Sequence, residues 1–259
     1  MSTAVPRQEP AVSAAVRPIP FHRLLRVETR KLVDTRSGKV LTAILIVLSL
    51  AAVVVRGVVD GPRLSLLSGT AGIVFGILLP VLAILTMTGE WSHRTALTTF
   101  ALEPRRVRVL AAKCVPPLVA TVAACVLALL VAAPVTAAVA AVQGVPPVWT
   151  VELLPELGSI AAMVLTTAMG LALGLLLLNA PAAIVIYLSS TMVWSYVKVL
   201  LGSTGQTLAQ WLDLGAACGP LIAGDMTGLD VARLATATLV WVVIPLVVGA
   251  LRVSQKDIG

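Results

Sequence analysis

Five long runs without a charged side chain dominate this sequence. Asp, Glu, Lys, Arg and His are absent from residues 40–55, 64–89, 114–151, 157–197 and 234–251. A charge near the centre of a bilayer costs about 2.5–3.5 kcal/mol on insertion scales, so such runs mark membrane-spanning helices. Charged residues make up only 12% of the chain, against roughly 25% in soluble domains. The sequence therefore predicts an integral membrane protein.

Two of these runs are longer than one membrane crossing, which takes about 20 residues. The run 157–197 contains the turn signal Asn179–Pro181 near its middle and is divided there into two spans. The run 114–151 is broken in its distal half by Pro134 and by Gly144–Pro147, so we predict one long span followed by an exposed loop. An all-α bundle of six spans results, at about 40–56, 64–89, 113–142, 157–178, 182–201 and 233–251.

The connection between the fifth and sixth spans contains a short apolar stretch, Leu214–Gly224. It is too short to cross a bilayer, and we interpret it as a re-entrant or interfacial element. Two Gly-x-x-x-Gly pairs, Gly72/Gly76 and Gly170/Gly174, permit close helix packing. Packing within one subunit is the simplest interpretation of both pairs.

The basic residues are distributed unequally between the two sides of the predicted bundle. Residues 1–39, 90–113 and 252–259 together hold fifteen Lys and Arg residues, whereas the opposite side holds four: Arg56, Arg63, Lys198 and Arg233. Lys and Arg are enriched in cytoplasmic loops. We therefore predict that residues 1–39 and 252–259 are cytoplasmic, on either side of a transmembrane domain at 40–251. Both termini can be cytoplasmic only if the number of crossings is even.

The segment before the first span has the pattern of an amphipathic helix at the membrane interface. Its apolar side chains share one face and its arginines the other, with Phe21, Leu24, Leu25 and Leu32 opposed to Arg23, Arg26 and Arg30. Glu28 projects into the apolar stripe. We consider two partners for this carboxylate: Lys31 one turn further on, or a basic group at the cytoplasmic rim of the bundle.

The first cytoplasmic connection places apolar and aromatic side chains among charges. The residues of interest are Glu90, Trp91, Arg94, Thr95, Leu97, Phe100, Arg105 and Arg106. A loop that only obeys the charge rule explains the arginines but leaves Trp91, Leu97 and Phe100 unexplained. Either a docking surface for a partner or a helix lying on the membrane accounts for them.

The fifth span is the most polar, with Tyr187, Thr191, Trp194 and Lys198 along one face. We interpret this face either as a pathway or dimer surface, or as ordinary interhelical hydrogen bonding. No catalytic or metal-binding constellation is evident. Cys114, Cys125 and Cys218 are widely separated and are interpreted as small apolar residues. Because the assigned span cores also lack ionisable residues, an ion-coupled carrier is disfavoured.

Two cytoplasmic segments resemble the permease subunits of bacterial ABC-2-type exporters. Arg26–Leu32 is similar to the entry helix of that family, and Asp34–Gly38 to its continuation in actinobacterial members. Glu90–Thr95, Leu97–Thr99, Pro104–Arg106 and Ala112–Lys113 resemble its first cytoplasmic loop, in which Arg94-Thr95 replaces the usual Gly-Thr pair.

The resemblance implies a permease without its own ATPase site, which binds no cofactor and works with a cytosolic ATPase subunit that uses ATP. It implies a homodimer, or a pair with a paralogous permease, in the bacterial cytoplasmic membrane. The entry-helix contacts would be Arg23, Arg26, Glu28, Arg30 and Lys31. The substrate would be hydrophobic or amphipathic. The alternatives are a non-transporting scaffold or resistance protein of the same fold, and an ion-coupled secondary transporter.

Overall fold

A computed structural model describes residues 20–92 and 105–255. The described residues are 90% helical and form no β-strand. In chain order, the helices are α1 (Phe21–Asp34), α2 (Arg36–Asp60), α3 (Leu64–Ser92), α4 (Arg106–Gln143), α5 (Leu153–Leu177), α6 (Ala180–Leu212), α7 (Leu214–Ala217), α8 (Gly219–Ala223), α9 (Gly228–Thr238) and α10 (Ile244–Gln255). A π-helical turn, Leu239–Val243, makes α9 and α10 one continuous rod.

Six of these elements are long and apolar enough to cross a membrane: α2 to α6 and the α9–α10 rod. An all-α bundle with six membrane-length helices is therefore confirmed. The third run forms one helix, α4, which ends at Gly144 in a left-handed conformation that glycine adopts without strain. Each of the six helices extends several residues beyond the predicted span, because uncharged runs mark the apolar core but not the polar ends.

Helix α3 lies at the centre of the bundle and packs closely against α5. A Cβ atom at Gly170 would lie 2.6 Å from the Pro80 carbonyl oxygen, and one at Gly174 would lie 3.2 Å from Met87 Cβ. On α3, Gly72 and Gly76 face the Met163 side chain of α5. Both glycine pairs therefore serve packing within one subunit, as predicted.

The loops meet at two opposite ends of the bundle. At the far end, the α2–α3 and α4–α5 connections are joined where Leu64 N donates to Val148 O and Val148 N donates to Pro62 O, both at 2.9 Å. At the other end, called the α1 end, the end of α10 returns beside α5. There Arg252 donates to Leu176 O at 3.1 Å.

Helix α6 differs from the predicted fifth span, which ends at Leu201. It breaks there, at Gly202 (φ 55°, ψ −126°), but continues in a second limb, 203–212. Glycine accommodates this positive φ without the Cβ clash that other residues would suffer. The chain then enters α7 and α8, where Leu214, Ala217 and Cys218 are buried in the same apolar cluster as Tyr187. The stretch interpreted as re-entrant is therefore a pair of short helices packed into the bundle.

Candidate functional site at the α1 end

Helix α1 turns part of its predicted apolar face toward the bundle. Leu32 is buried and Leu24 and Leu25 are half-buried, but Phe21 is exposed. The basic residues opposite them, Arg23, Arg26 and Arg30, are exposed. The helix ends before Thr35, whose side chain accepts a hydrogen bond from Gly38 N at 3.2 Å and caps α2. A Cβ atom at Gly38 would clash with Leu32 O. The turn from α1 into α2 is therefore tight and fixes how α1 lies on the bundle.

Glu28 lies in the buried centre of an ion cluster formed by Glu28, Lys31, Glu90 and Lys113. Lys31 Nζ lies 2.7 Å from Glu28 Oε1 and 2.8 Å from Glu90 Oε1. Lys113 Nζ lies 3.2 Å from Glu28 Oε2 and 3.0 Å from Glu90 Oε1. Each carboxylate contacts both ammonium groups, so charges of opposite sign alternate around the cluster. Its four residues come from α1, α3 and α4.

The two partners considered for Glu28 are both present. Lys31 is the local partner, and Lys113 is the basic group contributed by the bundle. Lys113 is only 1% exposed, and Glu28 and Glu90 are 4% and 6% exposed. Burying a single charge carries a large desolvation penalty, which close opposite charges and hydrogen bonds offset. Each member of the cluster is therefore tolerated in the interior because the others are there.

Lys31 is the most exposed member, with 41% of its side chain accessible. Burial lowers the pKa of Lys31, but its hydrogen bonds with Glu28 and Glu90 outweigh that effect. The net pKa lies above the ordinary value of 10.5. The Lys31 ammonium is therefore charged at neutral pH and binds the two carboxylates together.

Sequence reasoning placed Glu28, Lys31 and Glu90 among the site residues but counted Lys113 only as a loop cation and part of the resemblance. The structure places Lys113 inside α4, two turns after its start. The sequence does contain a pattern that points to Lys113 as a partner of Glu28. A carboxylate in the middle of an apolar stripe requires a buried cation, and Lys113 immediately precedes the uncharged run 114–151.

The other residues predicted for the coupling loop are only partly described. Trp91 is half-buried and packs with Met87, Val109 and Val253 at the α1 end. Arg105 is exposed and precedes α4, and Arg106 is its first residue. The remaining predicted residues, Arg94, Thr95, Leu97 and Phe100, lie outside the described residues.

A cavity of about 710 Å³ lies beside the ion cluster. Its lining comes from α1, from the start of α2, from the last turns of α3 and from Lys113 of α4. Cavities of this size hold small-molecule ligands in many proteins. The α1 end thus combines buried charges with accessible space.

The predicted polar face of α6 does not meet the ion cluster. Tyr187 is buried and donates a hydrogen bond to the Gly76 carbonyl of α3. Lys198 pairs with Asp213 at 3.4 Å, Trp194 is half-buried and Thr191 is exposed. Ordinary interhelical hydrogen bonding therefore accounts for Tyr187, while Thr191 and Trp194 remain on the outer surface of this subunit.

The chain was compared with protein-family models and with curated proteins. It matches no family model and no curated protein.

Proposed function

We propose that this chain is the permease subunit of an ATP-driven exporter of the ABC-2 type, coupled to a separate cytosolic ATPase. One observation carries the proposal. Three of the segments that carry the resemblance, 26–32, 90–95 and 112–113, are separate in sequence, yet each contributes a charged residue to the ion cluster. The cluster thus joins the predicted entry helix to both ends of the predicted coupling loop.

The cluster also supplies a physical route for coupling. Glu90 is the first residue predicted for the docking loop and lies in the last turn of α3, and Lys113 lies in the helix that follows the loop. An ATPase that moves this loop would move both residues, and with them α1, because a buried ion pair resists separation into single buried charges. Conformational force would enter at the loop and reach the first spans through the cluster.

The remaining features of the proposal follow the expected architecture. Both termini are cytoplasmic, α1 lies at the inner membrane interface, and α7 and α8 form a re-entrant element on the outer side. Two permeases assemble in a bacterial cytoplasmic membrane, as a homodimer or with a paralogue. The substrate is hydrophobic or amphipathic, because the six membrane-length helices are apolar.

The test is purification of the chain with a cognate ABC ATPase, followed by reconstitution into vesicles. We expect Arg94→Ala to uncouple ATP hydrolysis from substrate movement, and Trp91→Ala to do the same. Because Trp91 also packs in the bundle, its variant is first checked for folding by its elution profile. Arg56→Ala, in an exposed pair at the far end, is the matched control and should transport normally. If the Trp91 and Arg94 variants couple as well as the control, this loop is not the ATPase contact.

A further inference from the structure

The cavity beside the ion cluster has a polar end and an apolar end. The polar end is lined by the cluster and by Arg36 at the start of α2, and the apolar end by Leu82 and Leu85 of α3. Leu82 and Glu90 are eight residues apart on one helix, which corresponds to about 12 Å along its axis. A ligand that fills the cavity therefore meets charge at one end and hydrocarbon at the other.

The charge at the polar end favours an anion. Glu28 and Glu90 are already bound by Lys31 and Lys113, so neither carboxylate needs a further cation. Arg36 adds a positive charge that the cluster does not balance. Thr35, which caps α2, and the first residues of α2, Arg36 to Gly38, also line the cavity, and a helix N-terminus carries partial positive charge.

We propose that this cavity binds a single anionic amphiphile, with a phosphate or carboxylate headgroup toward Arg36 and Lys31 and an alkyl chain along Leu82 and Leu85. The chemistry is the same whether the amphiphile is a membrane phospholipid or a compound awaiting export. The site is separate from the predicted polar face of α6. It also does not depend on the proposed ATPase partner, because every lining residue belongs to this chain.

The first test measures binding to the full-length chain purified in a non-ionic detergent. The probes are dodecyl phosphate, dodecyltrimethylammonium and inorganic phosphate, each titrated by calorimetry. Dodecyl phosphate should bind, and the other two should bind at least about tenfold more weakly, since each lacks one of the two interactions. Equal binding of the cationic probe would overturn the assignment of charge, and equal binding of inorganic phosphate would overturn the role of the apolar wall.

Single substitutions test whether dodecyl phosphate binds in this cavity. Arg36→Gln should weaken dodecyl phosphate binding by about tenfold, as expected for loss of one charge-assisted contact. Lys39→Gln removes an exposed charge one turn further along α2, outside the cavity lining, and should bind normally. Leu85→Trp should reduce binding by filling the cavity. Equal losses in the Arg36 and Lys39 variants would show that surface charge alone attracts the probe and would refute the site.

Leu85→Trp is informative only if the protein folds, so its circular dichroism and elution profile are compared with those of the wild type. If Leu85→Trp does not fold, the test relies on Arg36→Gln, which changes an exposed residue. Mass spectrometry of amphiphiles extracted from the wild type and from Arg36→Gln then identifies the source. An enriched anionic phospholipid indicates a resident lipid, another anionic amphiphile indicates a cargo, and no difference between the two extracts contradicts the proposal.

Discussion

At the α1 end, four charged side chains from three helices contact one another, and three of them are almost completely buried. At the far end, the described ion pairs join two side chains each and are more exposed than the three buried members of the cluster. Examples are Arg56–Asp60, four residues apart on α2, and Lys198–Asp213, between α6 and the residue that precedes α7. There the loops are joined by backbone hydrogen bonds. Within residues 20–92 and 105–255, only the α1 end therefore gathers charged side chains from three helices. Removal of one charge there should affect several helices at once.

The largest effect is expected for Lys113→Met, which keeps the apolar stem but leaves two buried carboxylates with one ammonium. Breaking a buried ion pair from one side costs about 3–5 kcal/mol. The free energy of unfolding, measured by SDS titration in detergent micelles, should fall by that amount.

The double variant Lys113→Met/Glu90→Gln is the control for this prediction. It removes one charge of each sign and leaves the Glu28–Lys31 pair in place, so it should be more stable than Lys113→Met alone. Additive losses would mean that the charges are not coupled, and the contrast between the two ends would disappear.

A smaller effect is expected at the far end for Gly158→Ala in α5. The added Cβ would clash with the carbonyl oxygen of Leu221 in α8, and overpacking of this kind costs about 1–3 kcal/mol. The matched control is Gly69→Ala in α3, where a Cβ meets no atom within 4 Å and alanine favours the helix. Thermal unfolding in detergent compares them, and equal melting temperatures would show that α8 does not press on α5.

Much of the fold, but only part of the ion cluster, could be predicted from the sequence. The six helices were predicted because uncharged runs of this length have few other solutions. Helical periodicity predicted the exposed arginines of α1 and the burial of Leu32, but Phe21 at the start of the helix is exposed. The position of Lys113 did not follow, because a basic residue at a span end is satisfied equally by water, by lipid headgroups or by a buried carboxylate. Similarly, the fifth span was predicted to end at residue 201, and the second limb of α6 was not predicted, because it depends on packing with α7 and α9.

The pH dependence of stability should show the contribution of Lys31 to the ion cluster. Because the folded-state pKa of Lys31 is raised above 10.5, its contribution to stability is complete below the unfolded pKa. That contribution is lost as the pH rises through the folded pKa. The wild type should therefore lose more stability than Lys31→Met between neutral and strongly alkaline pH. An identical loss in both proteins, with Lys39→Met as a further control, would show that Lys31 does not stabilise the fold through its charge.

The smallest effect is expected for Asp60→Asn, which removes the exposed partner of Arg56. Exposed pairs contribute about 0–1 kcal/mol, and the SDS titration should change by no more than that. A loss as large as that of Lys113→Met would mean that the far end also depends on charge, contrary to the comparison.

The central claim, that this chain is driven by a separate ATPase, is tested most directly by transport in sealed vesicles. The vesicles contain the chain alone or together with a cognate ABC ATPase, and movement of a fluorescent anionic amphiphile is followed after addition of ATP. The account predicts movement only when ATP and both proteins are present, and its loss in Lys113→Met/Glu90→Gln if that variant remains folded. Movement by the chain alone, driven by a proton gradient without ATP, would contradict the claim.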